Sequence, residues 1–380
     1  MKIYDSLERK YLKVIHGKSH GPAAWFLKLS LHPLSWIYRA IIFVRNKAYD
    51  CGLLKSYNPK IPAVVSVGNI VAGGTGKTPV TMLLAKDLLD RIPLAILSRG
   101  YRSHAENLKT PLRLCNGNGP EFPVNLCGDE PYLLAENLPK ARIFVGRDRK
   151  QAADMAAKQG AKLVILDDGM QHRQVSRDFD IVVLNANSPF DQGYLLPRGL
   201  LREEVSSLKR ASLVILNHIE DAEQYASITE RLKKYTSAPA IGTMVKITSM
   251  QTLEGQEIKS LGDKKIGMFC GIGTPESFEH TLQKSGAKIL DKLILPDHNR
   301  ATKQSLIDFS NHCQSLGAEY IVCTEKDKVK LIENKPCLPI PIVWTKIELE
   351  VKEGLQYWKD FIKKTVIRAK SEKVTSERSR

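Results

Sequence analysis

No two of the seven cysteines stand in a C-x-x-C arrangement, which removes the usual zinc and dithiol redox motifs. They lie scattered at 51, 115, 127, 270, 313, 323 and 337, as reduced thiols of a cytoplasmic protein do. Aromatic residues make up only 7% of the chain and no RNA or DNA module is legible, so its basic balance is not read as a nucleic-acid interface. Long apolar runs are missing too. The most apolar stretch, residues 23–44, is interrupted by Lys28, His32, Pro33 and Arg39, whereas a spanning helix needs about 20 largely uncharged residues. The first ten residues interleave charged and apolar side chains, so export by a secretory signal is not expected. No repeat of solenoid period is present.

What is present is enough apolar material, 43% of 380 residues, for a sizeable core and two ordinary domains. The net charge of +16 is concentrated at the ends. Residues 1–50 carry nine Lys/Arg against three Asp/Glu, a difference of +6, and residues 351–380 carry nine against four, a difference of +5. Basic ends suit nucleic acid or anionic lipid alike, so the neighbouring apolar residues must decide.

Residues 1–50 read as two helical pieces hinged near Pro33, because proline inside a helix removes a hydrogen bond and crowds the preceding turn. Trp25, Phe26, Trp36, Ile37, Ile41 and Phe43 are mixed there with Lys28, Arg39, Arg45 and Lys47. That mixture fits a bilayer interface, where aromatic rings sit at headgroup level and cations meet phosphates. An amphipathic pair packed on the protein's own core is the alternative.

From residue 61 short aliphatic runs alternate with helical segments, the pattern of a parallel sheet covered by helices. The runs are 63–67, 94–97, 142–145, 163–166, 181–184 and 213–216. They predict an α/β fold, a doubly wound parallel sheet of the P-loop NTPase type, over residues 51–243. Residues 244–260 read as a hairpin linker around Gly255. A smaller α/β domain is expected over 261–345, and a C-terminal helix with a basic tail over 346–380.

The chemistry begins at Val67-Gly-Asn69, which leads into Gly73-Gly74-Thr75-Gly76-Lys77-Thr78 between a strand and a helix. Glycines let backbone N–H groups turn toward phosphate oxygens, Lys77 reaches the β and γ phosphates, and Thr78 is placed to hold Mg²⁺. Val71 stands where the fuller motif has its first glycine, so only the Gly-Lys-Thr end matches. Downstream, the aliphatic run 163–166 ends in Asp167 and Asp168, as a metal-assisting strand does. Asp129 and Glu130 precede Pro131, where they serve either as a proton acceptor with a metal-side carboxylate or as a plain helix cap. Arg99, Tyr101, Arg147, Arg149, Arg198 and Arg202 fall in strand-end loops, the usual ligand side of such sheets, and guanidinium groups suit phosphates. His298 sits in a polar loop, where a histidine is commonly just solvated.

The ordered strings Gly73-Gly-Thr-Gly-Lys-Thr-Pro79, Ser98-Arg-Gly-Tyr101, Gly128-Asp-Glu-Pro131, Asp167-Asp-Gly-Met-Gln-His172, Pro197-Arg-Gly-Leu-Leu-Arg-Glu203, Pro296-Asp-His298 and Thr324-Glu-Lys-Asp327 resemble the tetraacyldisaccharide 4′-kinase family. Met170 departs from that pattern at a position where an aromatic residue is expected. The resemblance implies ATP and Mg²⁺ as cofactors and phosphorylation of the 4′-hydroxyl of a lipid-linked disaccharide 1-phosphate, giving lipid IVA. It also implies work at the cytoplasmic face of the bacterial inner membrane, with no protein partner and no nucleic acid. Carried over residue by residue, Asp129 is the general base with His298 as its partner, and Glu130, Asp167, Asp168 and Thr78 surround the metal. Asn69, Arg99, Tyr101, Arg149 and Arg202 are expected to contact substrate.

A partner-regulated ATPase or GTPase of the partitioning or metal-chaperone type shares the phosphate loop. A GTPase would carry Asn-Lys-x-Asp after a late strand, which neither Asn217-His218-Ile219-Glu220 nor Thr324-Glu325-Lys326-Asp327 supplies.

Overall fold

The computed structural model describes residues 11, 14–15, 17, 19, 21–296, 301–331 and 337–371. Its backbone is one curled sheet of twelve strands in the order β10-β9-β11-β12-β8-β7-β6-β1-β5-β2-β4-β3. The central strands β1 (Ala63–Gly68), β2 (Leu94–Ser98), β5 (Leu163–Asp167), β6 (Phe179–Asn185) and β7 (Leu213–Asn217) pair in parallel. β4 (Arg142–Val145) continues the parallel run, and β3 (Leu112–Asn116) closes that edge antiparallel. β1, β2, β5 and β7 are buried along their full length, which is why they are continuous aliphatic runs rather than alternating ones. Because parallel strands need crossovers, helices cover both faces.

The other end of the sheet is built from β9 (Lys265–Cys270), β10 (Lys288–Ile294) and β11 (Tyr320–Thr324), again parallel. It joins the first set through β8 (Ala240–Thr252) and β12 (Ile342–Glu353), a long antiparallel ribbon. β8 also runs parallel to β7 through residues 240–243, so the ribbon grows directly out of the main sheet. The local turn at residues 252–256 is present, with Thr252 N donating to Gln256 O at 2.8 Å, but β8 takes β12 as its main partner.

The first described helix, α1 (Pro22–Asp50), runs unbroken through Pro33 rather than hinging there. An interior proline costs about 3 kcal/mol. Anchoring along one face offsets this: Ser35 Oγ donates to Leu195 O (2.9 Å), Tyr38 OH to Arg202 O (2.9 Å) and Asn46 Nδ2 to Glu203 Oε2 (2.8 Å). The opposite face exposes Trp25, Phe26, Leu29, Trp36, Ile37, Ile41, Phe43 and Val44. Among the described residues no helix is long and apolar enough to cross a membrane.

Helix α2 (Lys77–Leu89) packs on the central strands, and the short α3 (Val124–Cys127) leads into α4 (Asp129–Asn137). α5 (Arg149–Lys158) and α6 (Ala222–Leu232) cover further strands. The second set of strands carries α7 (Pro275–Lys284), α8 (Lys303–Ser315) and α9 (Glu325–Leu331). The last helix, α10 (Leu355–Lys370), returns to the main core, where Trp358 and Phe361 are buried and Trp358 Nε1 donates to Asp87 Oδ2 at 2.7 Å.

Candidate active site

The loop between β1 and α2 turns at Gly73 and Gly76, whose φ values of 110° and 85° lie in the left-handed region. At Gly76 any side chain would also collide with a neighbour, because a Cβ there would come within 1.9 Å of Asn217 Nδ2. Asn217, at the end of β7, donates from that nitrogen to Thr75 O at 3.2 Å and accepts at Oδ1 from Thr243 Oγ1. Asn69 is fully buried and donates from Nδ2 to Thr75 Oγ1 at 2.8 Å, so it shapes the loop from within. Lys77 and Thr78 then open α2, whose N-terminal N–H groups and positive dipole end face the strand ends.

β1 and β5 are neighbours, which brings the Asp167-Asp168 pair beside the loop. The buried Asp167 accepts from Ser98 Oγ at 3.0 Å and Thr81 Oγ1 at 3.4 Å. Burial, then the negative charges of Glu130 and Asp168, push its carboxyl up to about 6. Asp168 sits at φ 49°, and its carboxylate meets a different set of partners. Burial alone would raise its carboxyl, but Lys77 and Arg202 outweigh that and hold it at about 2. Lys77 Nζ lies 3.7 Å from Asp168 Oδ1, and Arg202 Nη1 donates to both Asp168 oxygens at 3.0 Å.

Glu130 and Asp129 open α4, with Asp129 only 12% exposed. Glu130 is near enough to Asp167 for its charge to count among the causes of that carboxyl's shift. Lys326 Nζ contacts Glu130 Oε1 at 2.9 Å and lies 3.8 Å from Asp129 Oδ2. Glu130 and Asp168 thus both bear on the buried Asp167 carboxyl beside the phosphate loop, a repulsion that a divalent cation would relieve. They do not form a protein cage: among the described residues no group of three or more His, Cys, Asp or Glu is arranged to hold a metal by itself.

The arginines divide. Arg149 is buried and donates to Asp168 O at 3.2 Å, inside the site. Arg99 is half exposed and paired with Glu106 at 2.7 Å, and Tyr101 is half exposed on the same loop. Arg198 packs over the Tyr194 ring. Arg147, with Asp148 and Lys150, lines an open recess of about 390 Å³. His298 lies outside the described residues. All seven cysteines are free thiols.

Four participants had no role assigned from sequence. Gln171 Nε2 donates to Asn69 O (2.9 Å) and to Glu203 Oε1 (3.0 Å), and the fully buried Glu203 also accepts from Arg210 Nη2 and Asn46 Nδ2. This hub joins α1 to the start of the phosphate loop. Lys326 and Asn217 are the other two. Met170, the departure in sequence, is buried against Gly68, where a Cβ would come within 2.5 Å of Met170 Cβ.

A family model described as tetraacyldisaccharide-1-P 4′-kinase matches residues 27–366. The chain is 35% identical to the tetraacyldisaccharide 4′-kinase of Halothermothrix orenii over 82% of this chain and 85% of that one. The corresponding protein of Syntrophus aciditrophicus is 36% identical over 88% and 91% of the two chains. A crystal structure of LpxK from Aquifex aeolicus in complex with ATP superposes with a TM-score of 0.69 at 27% identity, covering 90% of this chain and 99% of that one.

Proposed function

This chain belongs to the tetraacyldisaccharide-1-P 4′-kinase family, and from that premise we propose how its residues divide the work of phosphoryl transfer. It is an ATP-dependent kinase of lipid A biosynthesis that phosphorylates the 4′-hydroxyl of a lipid-linked disaccharide 1-phosphate, yielding lipid IVA. The observation that carries the division is the meeting of Lys77, Asp168 and Arg202 beside the Glu130–Asp167 pair.

The loop N–H groups and Lys77 neutralise the β and γ phosphates, and Arg202 and Arg149 hold Asp168 in place beside them. Thr78, Glu130, Asp167 and Asp168 are the residues that would hold Mg²⁺. Held by them, a divalent cation would supply positive charge against the phosphates during transfer. Asp129 takes the proton from the 4′-hydroxyl as that oxygen attacks the γ phosphorus and ADP leaves, and His298 is assigned as its orienting partner. Phosphoryl transfer rests on alignment and electrostatics, so positioning groups matter as much as the base. Arg99, Tyr101 and the Arg147 recess are assigned to the acceptor sugar and its 1-phosphate.

The acceptor's acyl chains stay in a bilayer, so the active site must lie against a membrane surface. The exposed apolar face of α1 is assigned to that surface, at the cytoplasmic side of the inner membrane. Residues 51–243 act as the nucleotide-binding part and 261–345 as a smaller part that closes over ATP about the β8–β12 ribbon. The test is transfer from γ-labelled ATP to detergent-dispersed acceptor. Asp129→Asn should bind ATP normally and lose at least about 100-fold in turnover, the scale of a lost general base. Near-normal turnover would remove Asp129 from that role.

A further inference from the structure

Thr324-Glu325-Lys326-Asp327 stands in the sequence without an assigned task, yet in the fold it reaches the candidate base. Thr324 and Asp327 cap the start of α9 reciprocally: Thr324 Oγ1 donates to Asp327 Oδ2 at 2.6 Å and Asp327 N donates to Thr324 Oγ1 at 3.1 Å. Both Asp327 oxygens accept from Gly271 N at 3.1 Å, and Lys330 Nζ donates to Asp327 Oδ1 and Gly271 O, each at 3.1 Å. Asp327 is 1% exposed and Lys330 7%, so this end of α9 is fixed by a paired, buried network.

From that fixed end Lys326 extends to α4, 2.9 Å from Glu130 Oε1 and 3.8 Å from Asp129 Oδ2, with Lys330 Nζ 3.9 Å from the same Asp129 oxygen. Gly271 also starts the segment whose Thr274 Oγ1 donates to Gly74 O in the phosphate loop at 2.6 Å. One continuous set of contacts therefore runs from Asp129 and Glu130 through Lys326, Lys330 and Asp327 to Gly271, and on to the phosphate loop. The base opens α4 and the phosphate loop precedes α2, and the smaller part adds a second link between them through Lys326 and Thr274.

We propose that Lys326 is a positioning residue for phosphoryl transfer, its ammonium holding the adjacent Asp129 and Glu130 carboxylates in the arrangement that faces the phosphate loop. The inference rests on the assignment of Asp129 as base and Glu130 as metal-side carboxylate. Two like charges on consecutive residues repel, and a cation anchored from another element fixes where each points. A purely structural role, docking α9 on α4, would be shared by Lys328, which pairs with Glu136 between the same helices but one turn or more away from the site.

That difference defines the experiment. Full-length Lys326→Met, which keeps the apolar stem, is compared with Lys326→Arg and Lys328→Met for kcat, KM for lipid, ATP affinity and thermal midpoint. Lys326→Met should lose about 30-fold or more in kcat while ATP affinity and lipid KM stay within about threefold, the signature of an interaction used in the transition state. Lys326→Arg should recover at least about a third of the wild-type kcat, and Lys328→Met should keep at least about half. Should Lys326→Met not fold, Lys326→Gln is read by the same criteria. Retention of more than about a third of kcat in the uncharged variant, or an equal loss in Lys328→Met, overturns the inference. If Asp129→Asn keeps normal turnover the base assignment falls and takes this inference with it. Loss in Asp129→Asn with normal turnover in Lys326→Met overturns this inference alone.

Discussion

Replacing Trp25, Phe26 and Trp36 together by aspartate should detach the protein from membranes without unfolding it. The three side chains are 63%, 68% and 66% exposed, and none of them shares the contacts of Ser35, Tyr38 and Asn46, which hold α1 to the body. A large aromatic ring carries roughly 200 Å² of surface, so each presents on the order of 130 Å², worth about 3 kcal/mol at 25 cal/mol per Å² if wholly removed from water. Interfacial immersion is partial, so about half of that, ~1.5 kcal/mol each and ~4–5 kcal/mol together, is the expected loss. At 1.4 kcal/mol per tenfold change, vesicle partitioning should fall by about 1,000-fold. Salt should matter less than the charge count suggests. Arg39 is paired with Glu204 and Arg45 donates to Gln171 O, which leaves Lys28 and Lys47 as the nearer contributors, at about 1 kcal/mol each. The assay is sedimentation with anionic and neutral liposomes at low and high salt, alongside circular dichroism and ATP binding. A folded triple variant that sediments like wild type would refute the assignment of this face to lipid.

Lys77→Ala and Thr78→Ala should each reduce transfer by about a thousandfold or more, as their proposed phosphate and metal roles require; near-normal steady-state turnover in Lys77→Ala would overturn the loop assignment. Arg202→Ala should cost about 10- to 100-fold in kcat and Arg202→Lys less, because Arg202 bridges both Asp168 oxygens; equal activity in all three proteins would show that this contact is idle. Acid stability should depend on His218, whose imidazole is held at about 4 by burial and by the neighbouring His280 charge. Between pH 6.5 and 4 the unfolded chain takes up a proton that the native side chain refuses, so stability falls as pH falls through that window. His218→Asn, suited to the local φ of 63°, should recover up to about 2 kcal/mol of that loss at pH 4.5, seen as a smaller drop in thermal midpoint between pH 7 and 4.5. Identical drops in both proteins would count against it.

The buried central strands were legible because burial on both faces demands unbroken aliphatic runs: β1, β5 and β7 start where those runs start and end within about a residue of them. β12 was missed although Ile347, Leu349 and Val351 alternate with Lys346, Glu348 and Glu350, the signal of a one-sided strand. Pro33 misled because its local cost is visible in sequence, whereas the contacts from Ser35, Tyr38 and Asn46 to residues some 160 positions away are not. The same holds in the site. Lys77, Asp167 and Asp168 belong to local motifs whose neighbours point to the phosphate and metal roles proposed for them. Lys326 meets Glu130 across 196 positions and Glu203 meets Asn46 across 157, and no local spacing encodes such pairings. Asn69 stood in the right motif, but its side chain turns into the loop and supports Thr75.

The most direct test of the account is the phosphorus spectrum of the lipid product after incubation of purified protein with ATP, Mg²⁺ and tetraacyldisaccharide 1-phosphate. A new phosphomonoester resonance, assigned by its proton correlation to the 4′ position, is expected beside an unchanged 1-phosphate signal, with no new resonance when Lys77→Ala replaces wild type. Consumption of ATP with release of inorganic phosphate and no second lipid phosphomonoester would contradict it.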